Sequence, residues 1–334
     1  MDRAVLEFRA HCIREIRRFF EESGYLEVDT PVIARRVIPE PTIDLLSTTI
    51  HGPGEEGPGT KAFLLPSPEL YMKRLVAAGS GSIFQLSRCF RDSEPASSRL
   101  HTFEFLMLEW YTLGADYIDS LETTEALIEG LCRRCDVPAH VAPALLPPFV
   151  KMTVNEAFRE YADIDLSACN ETRALLTEAR RVGLTPAADA DWSELFHLIL
   201  VARVEPNLRK ERPVVLLDYP ARVSCLAKQK PGTMWRERWE LYLRGVEIAN
   251  CFTETVSPEE VATYFRHAHR KLEESGRTAQ TDQSFPGIYE TGHPLCSGVA
   301  MGVDRLLMVL SEAASITEVM PFPPLDRDAQ KYAI

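Results

Sequence analysis

Residues 297–303, SGVAMGV, put Gly298, Ala300 and Gly302 on one face of a strand and Val299, Met301 and Val303 on the other. Branched side chains on one face can pack a core. Small residues on the opposite face mark the close approach of a ligand or of another backbone. The strand runs directly into a helical pattern, DRLLMVLSEA, with Asp304 as the expected cap and Arg305 in the first turn. Arg91 likewise ends a predicted strand, Ile83–Arg91. Each arginine could be an ordinary surface ion-pair residue, or the two could serve a polyphosphate above the glycine-lined strand.

Two further segments carry polar groups on strand faces. In FEFLMLEWYTL (103–113) Leu106, Leu108 and Trp110 form a core stripe, while Phe105, Met107, Glu109 and Tyr111 share the other face. That face is either a solvated exterior or a pocket wall with a ring for stacking and a carboxylate for a cation. In WELYLRGVEIANCF, Arg244-Gly245 reads as a two-residue hairpin turn. Pairing Leu243 with Val246 opposes Tyr242 to Glu247 and Glu240 to Ala249. Glu240 and Glu247 then become same-face neighbours within about 5–8 Å. They are exposed glutamates on a wet face, or two hard ligands for a divalent cation such as magnesium.

Elsewhere, Val5, Phe8, Cys12, Ile16 and Phe19 give an amphipathic helix, followed by a strand at 25–30 that ends at Pro31. Ser67 and Pro68 read as the cap and first position of another helix. Residues 117–220 look helical and carry no interpretable motif, which points to a helical insertion within one domain spanning 1–334. Strands and helices mix without βαβ alternation, so the expected class is α+β.

Composition removes several alternatives. Among 334 residues, 37 Lys and Arg face 49 Asp and Glu, a net charge of −12 that argues against a large nucleic-acid footprint. No apolar run reaches the roughly 18 residues a membrane span needs, and the charged N-terminus is not a signal peptide. Eight scattered cysteines suit reduced thiols in the cytoplasm; the lone Cys132/Cys135 pair lacks the partners of a metal site.

Taken together, EIRRFFEESGYLEVDTPVI, CFRDSE…HTFEFLMLEWY and SGVAMGVDRLLM resemble motifs 1, 2 and 3 of the class II aminoacyl-tRNA synthetases. LLPSPELYMKRL and GVEIANCFTE are similar to the lysyl-type branch. The five blocks run in order from about residue 8 to residue 323. The resemblance implies an antiparallel sheet flanked by helices and AMP-forming use of ATP with magnesium. It also implies a homodimer built on the 4–20 helix and Pro31. Motif 1 begins almost at the first residue, so no anticodon-binding domain is expected. That architecture is similar to free-standing ligases of this branch, which attach (R)-β-lysine to a lysine of translation elongation factor P. A truncated enzyme activating α-lysine for another acceptor and a silent regulatory paralogue are the alternatives, and tRNA is disfavoured as acceptor.

By this resemblance Arg91 would bind the substrate carboxylate and α-phosphate, and Arg305 the γ-phosphate, as the catalytic pair. Phe105 would stack on adenine with Arg305 on its other face, His101 would approach the triphosphate, and Gly302 would floor the ATP site. Glu240 and Glu247 would hold magnesium, with Glu240 also serving ATP. Glu109, Tyr111 and Glu254 would take the distal ammonium of lysine, Glu69 the amino group near the carboxylate, and Asn250 the carboxylate itself. Ala300 stands where lysyl-tRNA synthetases have glycine, which would move the amino acid on the pocket floor. Three departures stand out. The loop from Arg91 to His101 is two residues longer than usual, and FEF replaces PEF. Ser93 occupies the usual acidic position, leaving Glu94 as its substitute for adenine.

Overall fold

The computed structural model describes residues 2–52, 57–92, 99–277 and 280–322. Glu94 therefore lies outside the described residues. The N-terminal periodicity becomes α1 (Arg3–Glu22), capped by Asp2, whose side chain accepts from the Ala4 amide. Its apolar stripe of Cys12, Ile16 and Phe20 is fully buried. The strand expected at 25–30 shrinks to β1 (Leu26–Glu27), parallel to the later strand at 83–90. After Val28 makes a last backbone bond to Phe84, Thr30 turns its hydroxyl to Gln85 instead. Strands β2 (Ile33–Ala34), β3 (Ser47–Ile50) and β4 (Thr60–Leu64) form a small antiparallel sheet in the order β2-β4-β3.

Helix α2 (Glu69–Ala77) starts one residue later than expected. Pro68 occupies the cap position, and Ser67 Oγ accepts from the Glu69 amide at 3.4 Å. Strands β5 (Ile83–Phe90) and β6 (Glu104–Leu113) follow, then α3 (Tyr117–Arg134). The middle region is not only helical. Beside α4 (Val154–Ala162), α5 (Thr172–Arg181) and α6 (Trp192–Ile199) it contributes β7 (Val150–Thr153) and β8 (Val214–Pro220). β7 is only four residues long and β8 is a short, largely apolar run, and periodicity alone does not separate such segments from helix. They extend the sheet. The hairpin β9 (Trp235–Leu243) and β10 (Val246–Thr253) turns at Arg244 and Gly245, with φ of 51° and 78°, as a primed two-residue turn requires. Then come α7 (Pro258–Glu274), α8 (Gly287–Glu290), β11 (Cys296–Gly302) and α9 (Val303–Ser311).

Among the described residues eight strands make one sheet, ordered β1-β5-β6-β11-β10-β9-β8-β7, antiparallel in its centre and parallel only at the β1–β5 and β7–β8 ends. One face is dry. Leu106, Leu108 and Trp110 of β6 pack there with Val299 and Met301 of β11, beneath α1, α3 and α9. No helix among the described residues is long and apolar enough to cross a membrane.

Asp304 does not cap α9, whose N-cap is Gly302. Asp304 is buried, accepting from Arg9 of α1 at 2.5 Å and from the Leu106 amide of β6 at 2.6 Å. This one carboxylate ties α1 and β6 to the start of α9 behind the sheet. Replacing Asp304 by Ala strands the Arg9 cation, and urea denaturation should show a loss of about 3–5 kcal/mol. The apolar pair Arg9→Met/Asp304→Leu should recover part of it.

Candidate active site

The other face of the sheet is polar. Its central row runs Gln85, Glu109, Ala300, Asn250, Glu240 across β5, β6, β11, β10 and β9. The predicted partner of Glu240 was Ala249. A bulge between Glu247 and Ala249 shifts the register by one, so Glu240 opposes Asn250. Glu247 still opposes Tyr242, and the two glutamates remain neighbours in a groove of about 380 Å³.

That groove brings together most of the predicted residues: Arg91, His101 and Phe105 from the motif 2 region, then Glu240, Glu247 and Asn250 from the hairpin. Ala300, Gly302 and Arg305 complete it. The Arg91 guanidinium stands 5.2 Å from the Phe105 ring centroid. Arg305 donates to Leu100 O at 3.1 Å and to Glu247 O and Oε2 at 3.0 and 3.2 Å, with Nη2 2.9 Å from His101 Nε2. Burial and the cations Arg305 and Arg91 lower the pKa of His101, keeping its ring neutral.

Glu240 is held on both oxygens, by Arg238 at 2.7 Å and the Tyr242 hydroxyl at 2.9 Å. The same Arg238 bonds Asn250 Oδ1 at 3.1 Å, so one guanidinium sets two groove side chains. Burial and then Glu240 raise the pKa of Glu247, partly offset by Arg305. Two hard carboxylates crowded this way fit a magnesium ion, which commonly takes one or two protein carboxylates and completes its shell with phosphate and water. Glu247 Oε1 is left for such a ligand. No larger metal-binding cluster exists among the described residues.

The remaining predicted residues lie deeper, at the other end of β11. Glu109 is only 3% exposed, so the solvated-exterior reading of that strand face does not hold. Its Oε1 accepts from the Tyr111 hydroxyl at 2.8 Å. Tyr111 opposes Gly298 across the ladder. A Cβ at Gly298 would sit 2.7 Å from the Tyr111 ring and 2.8 Å from Glu254 Oε1, so glycine is required for both to close over the strand. Among the described residues Glu254 Oε1 has no hydrogen-bond partner, and its Oε2 lies 2.8 Å from Lys73 Nζ. Lys73, fully buried, also meets Glu69 at 2.6 Å.

Lys73, Arg238 and Tyr242 were missed in the sequence, though a signal for each exists. Glu69 and Lys73 are four apart on α2, and Arg238, Glu240 and Tyr242 alternate on β9. Burial penalises the Lys73 charge, but Glu254 and Glu69 outweigh it and keep the ammonium charged. Burial and the neighbouring carboxylate Glu69 push Glu109 up to about 8. Burial pushes Glu254 to about 7 against the pull of Lys73. One ammonium thus serves two carboxylates, and the pocket remains short of positive charge.

The sequence profile of tRNA synthetases class II (D, K and N) matches residues 2–326. The chain belongs to this family. Within it, the chain is 36% identical to the elongation factor P–(R)-β-lysine ligase of Photorhabdus laumondii over 321 residues, 94% of this chain and 93% of the relative. It is 35% identical to the ligase of that name from Vibrio cholerae over 325 residues, 95% and 94% of the two chains. The Pasteurella multocida ligase is 36% identical over 320 residues. The large sheet with flanking helices is the class II synthetase fold.

The pKa shifts carry a sign. Glu109 and Glu254 have folded values above the ordinary 4.5, so between about 4.5 and about 8 the folded protein holds protons the unfolded chain has released. Their contribution to stability is therefore full below that window and lost as pH rises through it. A bound ammonium removes the penalty. Thermal unfolding with and without lysine should show greater ligand stabilisation near about pH 8.5 than near about pH 6; equal shifts would contradict it.

Proposed function

We propose that this protein is an ATP-dependent, AMP-forming ligase that activates (R)-β-lysine, or lysine, as an acyl-adenylate and transfers the acyl group to a lysine side chain of translation elongation factor P. The observation that carries this reading is the order of groups along the polar side of β11. The groove at its Gly302 end is lined by Arg91 and Arg305, which suit phosphate, and from Ala300 to Gly298 the strand runs beside the buried carboxylate Glu109, its partner Tyr111 and the buried Glu254, which suit an ammonium. A diamino acid laid along that strand is gripped at both ends. Relatives named as ligases for elongation factor P, similar over about 94% of the chain, support the same acceptor. The −12 charge argues against tRNA. We place the reaction in the cytoplasm, and residues 1–334 form one domain in this reading, since β7 and β8 of the insertion extend the same sheet.

In the first step an oxygen of the substrate carboxylate attacks the α-phosphorus of ATP in line, and the bond to the leaving pyrophosphate breaks. Arg91 holds carboxylate and α-phosphate together, lowering the repulsion between two anions. Arg305, fixed by Leu100 O and Glu247, takes the γ-phosphate beside the neutral His101. Phe105 supplies the face for adenine. Glu240 and Glu247 would hold magnesium, which neutralises phosphate charge. Glu109, Tyr111 and Glu254 Oε1 receive the distal ammonium, Asn250 orients the carboxylate, and the Ala300 methyl sets how deep the chain sits. In the second step the free amine of the acceptor lysine attacks the acyl carbonyl. AMP leaves with the bonding pair, and the amine proton passes to its phosphate.

ATP–pyrophosphate exchange should run faster with (R)-β-lysine than with α-lysine, and mass measurement should find one lysyl unit added to elongation factor P. Exchange no faster with the β-isomer would refute the isomer preference. Glu109→Ala should lower lysine-dependent exchange by about a hundredfold while ATP binding persists. We also assign a homodimer across α1 and Pro31. Leu26 and Ile33, which flank Pro31, are exposed apolar residues that such a contact would cover. Ile33→Glu should shift the protein to monomer in sedimentation equilibrium.

A further inference from the structure

Glu40 lies on the strap between β2 and β3, flanked by Pro39 and Pro41. The strap's backbone is tied down on several sides. The Tyr264 hydroxyl donates to Pro39 O at 3.0 Å, and the Ile43 amide donates to Glu40 O at 3.2 Å. The Arg277 guanidinium donates to Pro41 O and pairs with Asp44 at 3.1 Å. The Asp92 amide, just past Arg91, donates to Asp44 O at 2.9 Å. The strap therefore has a defined position beside the end of β5, and Glu40 lines the groove together with Arg91.

The other acidic groups of the site each have a partner. Glu69 and Glu254 share Lys73, Glu109 takes the Tyr111 hydroxyl, Glu240 takes Arg238 and Tyr242, and Glu247 takes Arg305. Glu40 has none. Among the described residues no hydrogen bond or ion pair reaches its carboxylate. Only the fields of Glu69, Arg91 and Lys73 act on it from a distance. A half-buried carboxylate without a counter-ion is unfavourable unless a ligand supplies one.

We propose that Glu40 binds the amino group nearest the substrate carboxylate, together with Glu69, and thereby helps decide where along the substrate chain that group is accepted. The inference rests on the function proposed above. Three observations place the ammonium there. Arg91, assigned the substrate carboxylate, lines the same groove as Glu40, and Glu69, assigned the near amine, is close enough for its charge to act on Glu40. The distal ammonium sites, Glu109, Tyr111 and Glu254, lie at the Gly298 end of β11. Glu69 already spends Oε1 on Lys73, so by itself it is a partly neutralised receptor for a second cation. A carboxylate on a flexible side chain facing the groove can follow an amine one or two carbons from the substrate carboxylate. In keeping with a missing cation, burial and then Glu69 push Glu40 up to about 7.

The test compares wild type with Glu40→Gln, which keeps shape and removes charge. Titration calorimetry would use three ligands: (R)-β-lysine, α-lysine and 6-aminohexanoate, which has the carboxylate and distal ammonium but no near amine. The expected result is affinity for both lysines weakened about tenfold or more, with 6-aminohexanoate and ATP unchanged and partial rescue in Glu40→Asp. Retained ATP affinity reports that the variant is folded. Equal weakening for all three ligands, or no weakening for the lysines, overturns the assignment. Wild-type protein that binds neither lysine removes the functional reading itself, and this inference with it.

Discussion

The active face depends on one buried cation. Lys73, with no solvent exposure, stands between Glu69 and Glu254 and makes two carboxylates tolerable inside the protein. Without it, Glu69, Glu109 and Glu254 would be like charges crowded together; Glu69 raises the pKa of both Glu109 and Glu254, and Glu254 raises that of Glu109. With it, the pocket still lacks positive charge. That deficit is what the ammonium of the proposed substrate would fill.

The second constraint is steric and belongs to β11. Its face toward the groove is Gly298, Ala300 and Gly302, so side chains from β6 and the end of β10 can close directly over it. Its reverse face, Val299 and Met301, is locked into the core beneath α1, α3 and α9. Asp304, just beyond the strand, fastens α1 and β6 at the same place. The floor of the groove is thus held firmly where the proposed substrate would lie.

Much of this was legible in strand alternation. The faces of Phe105–Tyr111 and of Gly298–Gly302, the hairpin turn at Arg244-Gly245, and the nearness of Glu240 and Glu247 all follow from period-two geometry and turn chemistry. What escaped depended on contacts between distant segments. β7 is too short, and β8 too short and apolar, to be told from helix in isolation. Asp304 looked like a cap because Arg9, 295 residues away, is not visible from its neighbours. The bulge after Glu247 shifted every later pairing by one and put Asn250, rather than Ala249, on the groove face beside Glu247.

The sequence by itself determined which residues share a face, because side-chain direction along a strand or helix is a local property of the backbone. It also determined the family, through five motif blocks in order. Only the tertiary structure decided which charges are neutralised. Lys73 between two glutamates, Arg238 on Glu240 and Asn250, and Glu40 lining the groove without a partner among the described residues all arise where separate elements meet. The energy of a buried charge depends on every group around it, and those groups come from all along the chain.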